Sequence, residues 1–124
     1  MSQFVEGGNK GYVATSALAD GLAVKISSGQ VVVATAATDK IIGVTVGAIA
    51  AGETGTIRLR SAAGTMKVKL GGTVAVGNRV TSNGSGALIN TTTAADEVVG
   101  VALEAGVSGD FIEVMPANHL YAIT

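Results

Sequence analysis

The most concentrated chemistry in this sequence is basic: Arg58 and Arg60 alternate with Ile57 and Leu59, and Lys67 and Lys69 with Met66, Val68 and Leu70. A period of two puts each basic pair on one sheet face and the apolar residues on the other. If the two strands were neighbours, four positive charges would share a face, which is unfavourable without counter-charges. Either the pairs lie apart or an acidic surface meets them. The arrangement reads as a solvated outer face or as a docking patch.

Catalytic constellations are not legible. His119 is the single histidine and stands in the tail segment Pro116-Ala117-Asn118-His119-Leu120, with no carboxylate or nucleophile placed beside it for acid–base work. One His and no Cys leave nothing to build a metal cluster, a thiolate site or a disulfide. Asp20, Asp39, Asp96 and Asp110 sit next to turn positions, where a carboxylate caps backbone amides. Gly71-Gly72 and Gly84-Ser85-Gly86 lack the Lys-Ser/Thr and the helix start of a phosphate cradle, and read as hairpin turns. The expectation is a protein that is not an enzyme and uses no cofactor.

The elements that must position these residues are short and β-rich. At 124 residues the chain holds one ordinary domain. Runs at 23–26, 31–34, 41–46, 56–60, 65–70, 79–81, 87–90, 98–103 and 111–115 are rich in Val, Ile, Thr and Leu. They are separated by Gly, Asn and Ser turn signals every 8–12 residues, the rhythm of a barrel or sandwich. No window carries a helical period with caps. Residues 1–12 read as an extended arm, because Gly7, Gly8 and Gly11 oppose regular structure, and 13–124 as a single β domain.

The chain also looks duplicated. Gly21-Leu22-Ala23-Val24 matches Gly77-Asn78-Arg79-Val80 at an offset of 56 residues, and Asp39-Lys40-Ile41-Ile42-Gly43-Val44 matches Asp96-Glu97-Val98-Val99-Gly100-Val101 at 57. A one-residue insertion brings both blocks into register, relating about 21–60 to 77–115. Two units are too few for a solenoid, so the expected fold is one compact, barrel-like β domain built from two related halves. Gly43 and Gly100, inside apolar strands, mark a bulge or the close approach of another backbone.

Composition bounds the partners. Charged residues are 14% against roughly 25% in an average soluble domain, and hydrophobic residues 48%. Either part of the surface is covered in the working state, or small residues merely inflate the apolar count. A net charge of −1 and four aromatic residues give neither the electrostatic footprint nor the stacking platform of a nucleic-acid binder. The start Met1-Ser2-Gln3 is not that of a signal peptide, and the apolar stretch 41–51 is too short and broken to span a membrane. Synthesis in a cytoplasm, in soluble form, is the expectation.

These blocks together resemble the small capsid cement, or decoration, proteins of tailed bacteriophages. The likeness rests on Phe4-Val5-Glu6-Gly7, on Ile42-Gly43-Val44 and Val99-Gly100-Val101-Ala102, on Ala51-Gly52-Glu53, and on Val74-Ala75-Val76-Gly77-Asn78-Arg79-Val80-Thr81 with Asn83-Gly84. The resemblance implies an all-β, small β-barrel or β-tulip-like fold with an N-terminal arm. It implies a homotrimer seated at three-fold junctions on the outer surface of the virion head, made in the host bacterial cytoplasm and clamping the major capsid protein. The candidate capsid-binding residues are then Gln3, Phe4, Val5 and Glu6 of the arm with Arg58, Arg60, Lys67 and Lys69. Phe4 either hooks a capsid subunit or packs on its own trimer. The segment from Asn118 to Thr124 has no counterpart in that family. Two other classes remain open: a β-rich tail, collar or spike subunit, and a carbohydrate-binding module directed at host-surface carbohydrate, which so few aromatics argue against.

Overall fold

A computed structural model of the chain describes residues 8–60, 64–93 and 96–117, and within them every regular element is a β-strand. The first half supplies β1 (Asn9–Val13), β2 (Ala23–Ser27), β3 (Gln30–Val33), β4 (Gly43–Val46) and β5 (Thr54–Leu59). The second supplies β6 (Met66–Lys69), β7 (Arg79–Ser82), β8 (Leu88–Asn90), β9 (Gly100–Ala102) and β10 (Phe111–Pro116). Each run expected from β-branched and turn residues overlaps one of β2 to β10. Residues 9–12, read from sequence as part of the arm, enter the sheet in β1, paired along β5 from Asn9–Arg58 to Val13–Thr54.

The two halves are the same construction made twice. Each is an antiparallel five-stranded sheet, in the order β1-β5-β4-β2-β3 and β6-β10-β9-β7-β8. Corresponding pairs keep the sequence offset: Gly43 faces Leu59 as Gly100 faces Pro116, and Ala23 faces Val44 as Arg79 faces Val101. The extra residue of the second half falls in its β7–β8 turn, since Ser27–Gln30 closes β2–β3 whereas Ser82 pairs with Leu88. Gly43 and Gly100 therefore occupy equivalent places.

One expectation is corrected. The halves do not wrap into a single barrel, and neither sheet closes on itself. In each unit the outermost strands meet only through an isolated parallel bridge, Ala14 to Val31 and Leu70 to Leu88. Strand pairing is already satisfied within each unit, so the halves associate by packing and loop contacts rather than by a continuous ladder.

The cores are unequal. Ala14, Leu18, Val24, Val31, Ile49 and Ile57 form a cluster drawn from the first unit alone, with Tyr12, Val33, Ile42 and Leu59 half-buried around it. The second cluster joins Met66, Val68, Leu70, Val80, Leu88, Val99 and Val114 to Ala23, Ala34, Ile41 and Val44 of the first unit. The first unit thus completes the second unit's core, and the reverse does not hold.

At the seam lies a buried ion pair. Arg60 is 5% exposed and Glu97 1%. The Arg60 guanidinium donates to Glu97 Oε1 at 2.8 Å, to the Ile41 carbonyl at 3.0 Å, to the Ala117 carbonyl at 2.9 Å and to the Val98 carbonyl. Lys40 Nζ approaches the other Glu97 oxygen at 3.6 Å. Burial pulls the Arg60 guanidinium below its ordinary value, while the Glu97 hydrogen bond and charge oppose that shift.

Two predictions follow from this packing. A Cβ on Gly43 would fall onto the Arg58 carbonyl oxygen and one on Gly100 onto that of Met115, both backbone atoms, whereas one on Gly72 would meet only Ile89 at 3.5 Å. Gly43→Ala and Gly100→Ala should each cost about 2–4 kcal/mol by overpacking, and Gly72→Ala well under about 1 kcal/mol, in denaturant unfolding. Removing the acidic partner by Glu97→Ala strands a buried guanidinium and should cost about 3–5 kcal/mol, read as a lowered unfolding midpoint.

Candidate docking surface

Asp20, Asp39 and Asp110, three of the four acidic residues expected to cap turns, accept backbone N–H groups; Asp96 takes a threonine hydroxyl instead. Gly47 N–H donates to Asp20 at 2.8 Å and Val107 N–H to Asp110 at 3.0 Å, while Asp96 accepts from the Thr91 hydroxyl at 2.6 Å. Asp39 accepts from the Thr35 and Ala36 N–H groups at 2.9 and 3.1 Å and pairs with Lys25 at 2.9 Å. The Thr35 N–H, foremost, and the Lys25 ammonium hold the Asp39 carboxyl below its usual range. Among the described residues no three His, Cys, Asp or Glu side chains gather to hold a metal. His119 lies outside the described residues.

The basic residues separate into an inner and an outer set. Arg60 is consumed at the seam, so period-two reasoning placed it on the wrong side: it lies one residue past β5, where the chain runs between the units. Arg58 stays half-buried at the surface, its Nε donating to the Thr65 carbonyl at 2.9 Å and Nη1 reaching Asn9 at 3.5 Å. Lys67 is exposed with its Nζ 4.9 Å from the Phe111 ring centroid, and Lys69 is half-buried with its N–H donated to the Gly21 carbonyl at 3.0 Å. β5 and β6 belong to different sheets, yet Arg58 and Lys67 line one cleft of about 290 Å³ together with Asp20. Lys67 also borders a shallow depression of about 400 Å³ that holds Glu104 and Glu113. The like charges are thus interleaved with carboxylates on the same chain. Gln3, Phe4, Val5 and Glu6 lie outside the described residues.

Around these cations runs an apolar strip that the sequence reading missed. Strand pairing sets Phe111 beside Lys69, Glu113 beside Lys67 and Met115 beside Val101, all on the outer face of the second sheet. Phe111 is 39% exposed, Leu103 42% and Met115 49%. The inner residues of the same strands, Ile112, Val114 and Ala102, are buried. The signal was present in the alternation of β10, where both registers carry apolar residues and neither face is wholly polar. An outer face of this kind suits contact with protein, not chemistry.

No curated protein matches the chain. Among solved structures, the N base of head fiber gp8.5 in bacteriophage phi29 has a similar fold, with a TM-score of 0.74 at 18% identity over 91% of this chain and 96% of that one. A family model described as phage cement protein matches residues 15–116, a span that begins just after β1 and runs through the end of β10. Two tandem five-stranded units joined at a buried ion pair are how this chain builds a member of the phage cement protein family.

Proposed function

We propose that the chain is a non-enzymatic decoration protein that binds the outer surface of a phage head and stabilises the shell. The observation that carries this reading is the family match over residues 15–116. In this reading it acts as a homotrimer at three-fold junctions, made in the host cytoplasm, with the major capsid protein as its partner. Cementing needs buried area at shared junctions rather than chemistry, and three linked attachment points turn modest contacts into strong retention.

The contacts we assign to the shell are the arm residues Gln3, Phe4, Val5 and Glu6 and the surface cations Arg58, Lys67 and Lys69. Arg60 drops out of the set because its donors are spent inside the protein. Carbohydrate binding finds no support: Tyr12 and Phe111, the aromatics among the described residues, lie beneath the ammonium groups of Lys10 and Lys67 at 5.0 and 4.9 Å. Nothing specific favours a tail, collar or spike role.

The test is to add purified protein to mature and immature heads that lack it and image them. Density at three-fold positions on mature heads, together with release of DNA at a higher temperature, is the expected result. Density on tails, or no binding to either shell, would overturn the reading. Burying a Phe and a Val is worth roughly 3–6 kcal/mol before ordering is charged. Deleting residues 2–8 should therefore abolish decoration while leaving the fold intact. Lys67→Glu should slow binding and flatten its salt dependence if the cations dock.

A further inference from the structure

The equivalence of the two units exposes a place where one contact is made and its counterpart is left open. Within the chain, the β7–β8 turn lies against the first unit. The Gly86 carbonyl accepts the Ala23 N–H at 2.8 Å. Gly86 is packed so closely that an added Cβ would strike Val33 Cγ2 and would lie 3.1 Å from the Ala23 carbonyl and 3.4 Å from Leu22. A Cβ on Gly84 in the same turn would lie 3.9 Å from the Thr35 carbonyl. One turn of the second unit therefore sits on Leu22, Ala23, Val33 and Thr35 of the first.

The duplication says where that seat recurs. Its counterparts in the second unit, by the register of the paired strands, are Asn78, Arg79, Asn90 and Thr92. Those residues, with Gly77 and Thr91, line a recess of about 230 Å³. The counterpart of the seated turn is Ser28-Gly29, between β2 and β3. Ser27, Ser28, Gly29 and Gln30 are all exposed, and a Cβ on Gly29 would meet nothing within 4 Å. The chain thus presents an unfilled seat on one unit and an unseated turn on the other.

We propose that the recess on the second unit takes the Ser28-Gly29 turn of a second copy of this chain, so that copies associate head to tail. The inference rests on the self-association proposed above and names its surface. The seat and turn lie on different units, so a chain cannot bring its own two together while its β7–β8 turn holds the first unit. The chemistry has changed with the partner. Ala23 and Val33 become Arg79 and Asn90, and the incoming turn carries Ser27, Ser28 and Gln30. An exposed polar turn meets a polar recess, and the Arg79 N–H stands where the Ala23 N–H meets Gly86. A contact of two different surfaces is heterologous, and it closes into a ring when its rotation divides a full turn. In a closed trimer every seat and every turn is occupied.

The chain contains no cysteine, so single thiols report contacts cleanly. Ser28→Cys and Thr92→Cys proteins, treated with a short bismaleimide, should cross-link when mixed and not alone. The double variant should give a covalent trimer as its largest product. Asn90→Trp, which fills the recess from an exposed position, should weaken self-association roughly tenfold or more without altering the unfolding transition. Cross-linking of either single variant with itself, in place of the mixed product, would overturn the head-to-tail arrangement. A trimer that persists unchanged in Asn90→Trp, with no mixed cross-link, sinks the seat assignment and leaves the trimer reading standing. A wild-type chain that stays monomeric in solution and on shells sinks both.

Discussion

The architecture depends on the seam where Arg60 and Glu97 meet. A five-stranded unit of some fifty residues buries too little apolar surface to be secure alone, since small domains bury only about 60% of the surface their chains expose. The first unit's cluster holds six buried residues, and the second reaches its fuller size only by taking Ala23, Ala34, Ile41 and Val44 from its neighbour. Where those residues leave the first unit, the chain also brings in Arg60, whose guanidinium bonds the carbonyls of Ile41, Val98 and Ala117 and the Glu97 carboxylate. Replacing such a pair by apolar residues is often neutral or stabilising, so its value here lies in register. A fork of fixed geometry that satisfies carbonyls from both units admits one relative position of the two, which a purely apolar seam of Val and Ala would specify less sharply.

Duplication explains the polarity of that seam. Two identical units joined by a symmetric contact would use the same residues on each side. Here equivalent positions differ: Ala23 and Val44 are buried while Arg79 is exposed and Val101 half-buried, and Val68 and Val99 are buried while Tyr12 and Ile42 are half-buried. Sequence divergence between the halves follows this split. Lys40 and Glu97 hold equivalent positions with opposite charge and meet at 3.6 Å, and Arg60 stands where the second unit has Ala117. The halves diverged where they touch each other and kept Gly43 and Gly100, where the close approach of the next strand leaves no room for change.

Much of this was legible beforehand because it is written locally. Turn residues and β-branched runs marked the strands, and the Asp-x-Φ-Φ-Gly-Val blocks gave the repeat and the equivalence of the two glycines. What stayed hidden was whatever depends on distant partners. β1 opens with Asn9, Lys10 and Gly11, residues depleted in strands, and only Tyr12 and Val13 favour one; pairing with β5, some forty residues later, makes the whole segment a strand. Closure into one barrel and the formation of two open sheets need the same strands and turns, so the sequence could not separate them. Alternation puts Arg60 on an outer face, solvated or docking, because it assumes that a sheet has one wet side; the second unit covers the end of that side, at Ala23 and Val44, and Arg60 goes in with it.

The outer surface was less legible for a related reason. A docking surface has no required residue types, only exposure and shape, and neither is visible in a string of letters. Cations drew notice because charge is conspicuous. Leu103 and Met115 did not, because a single exposed apolar residue is ordinary and only their grouping with Phe111 on one face, which needs the fold, makes them informative. The low overall charge is largely spent within the fold. Of the few carboxylates, Asp20, Asp39 and Asp110 are occupied with backbone caps, Asp96 with the Thr91 hydroxyl and Glu97 with the seam. The outer face of the second sheet carries Lys67, Lys69, Glu104 and Glu113 beside the apolar strip. Such a surface becomes useful when a symmetric array repeats it, because the effective concentration of each further contact rises once the first is made.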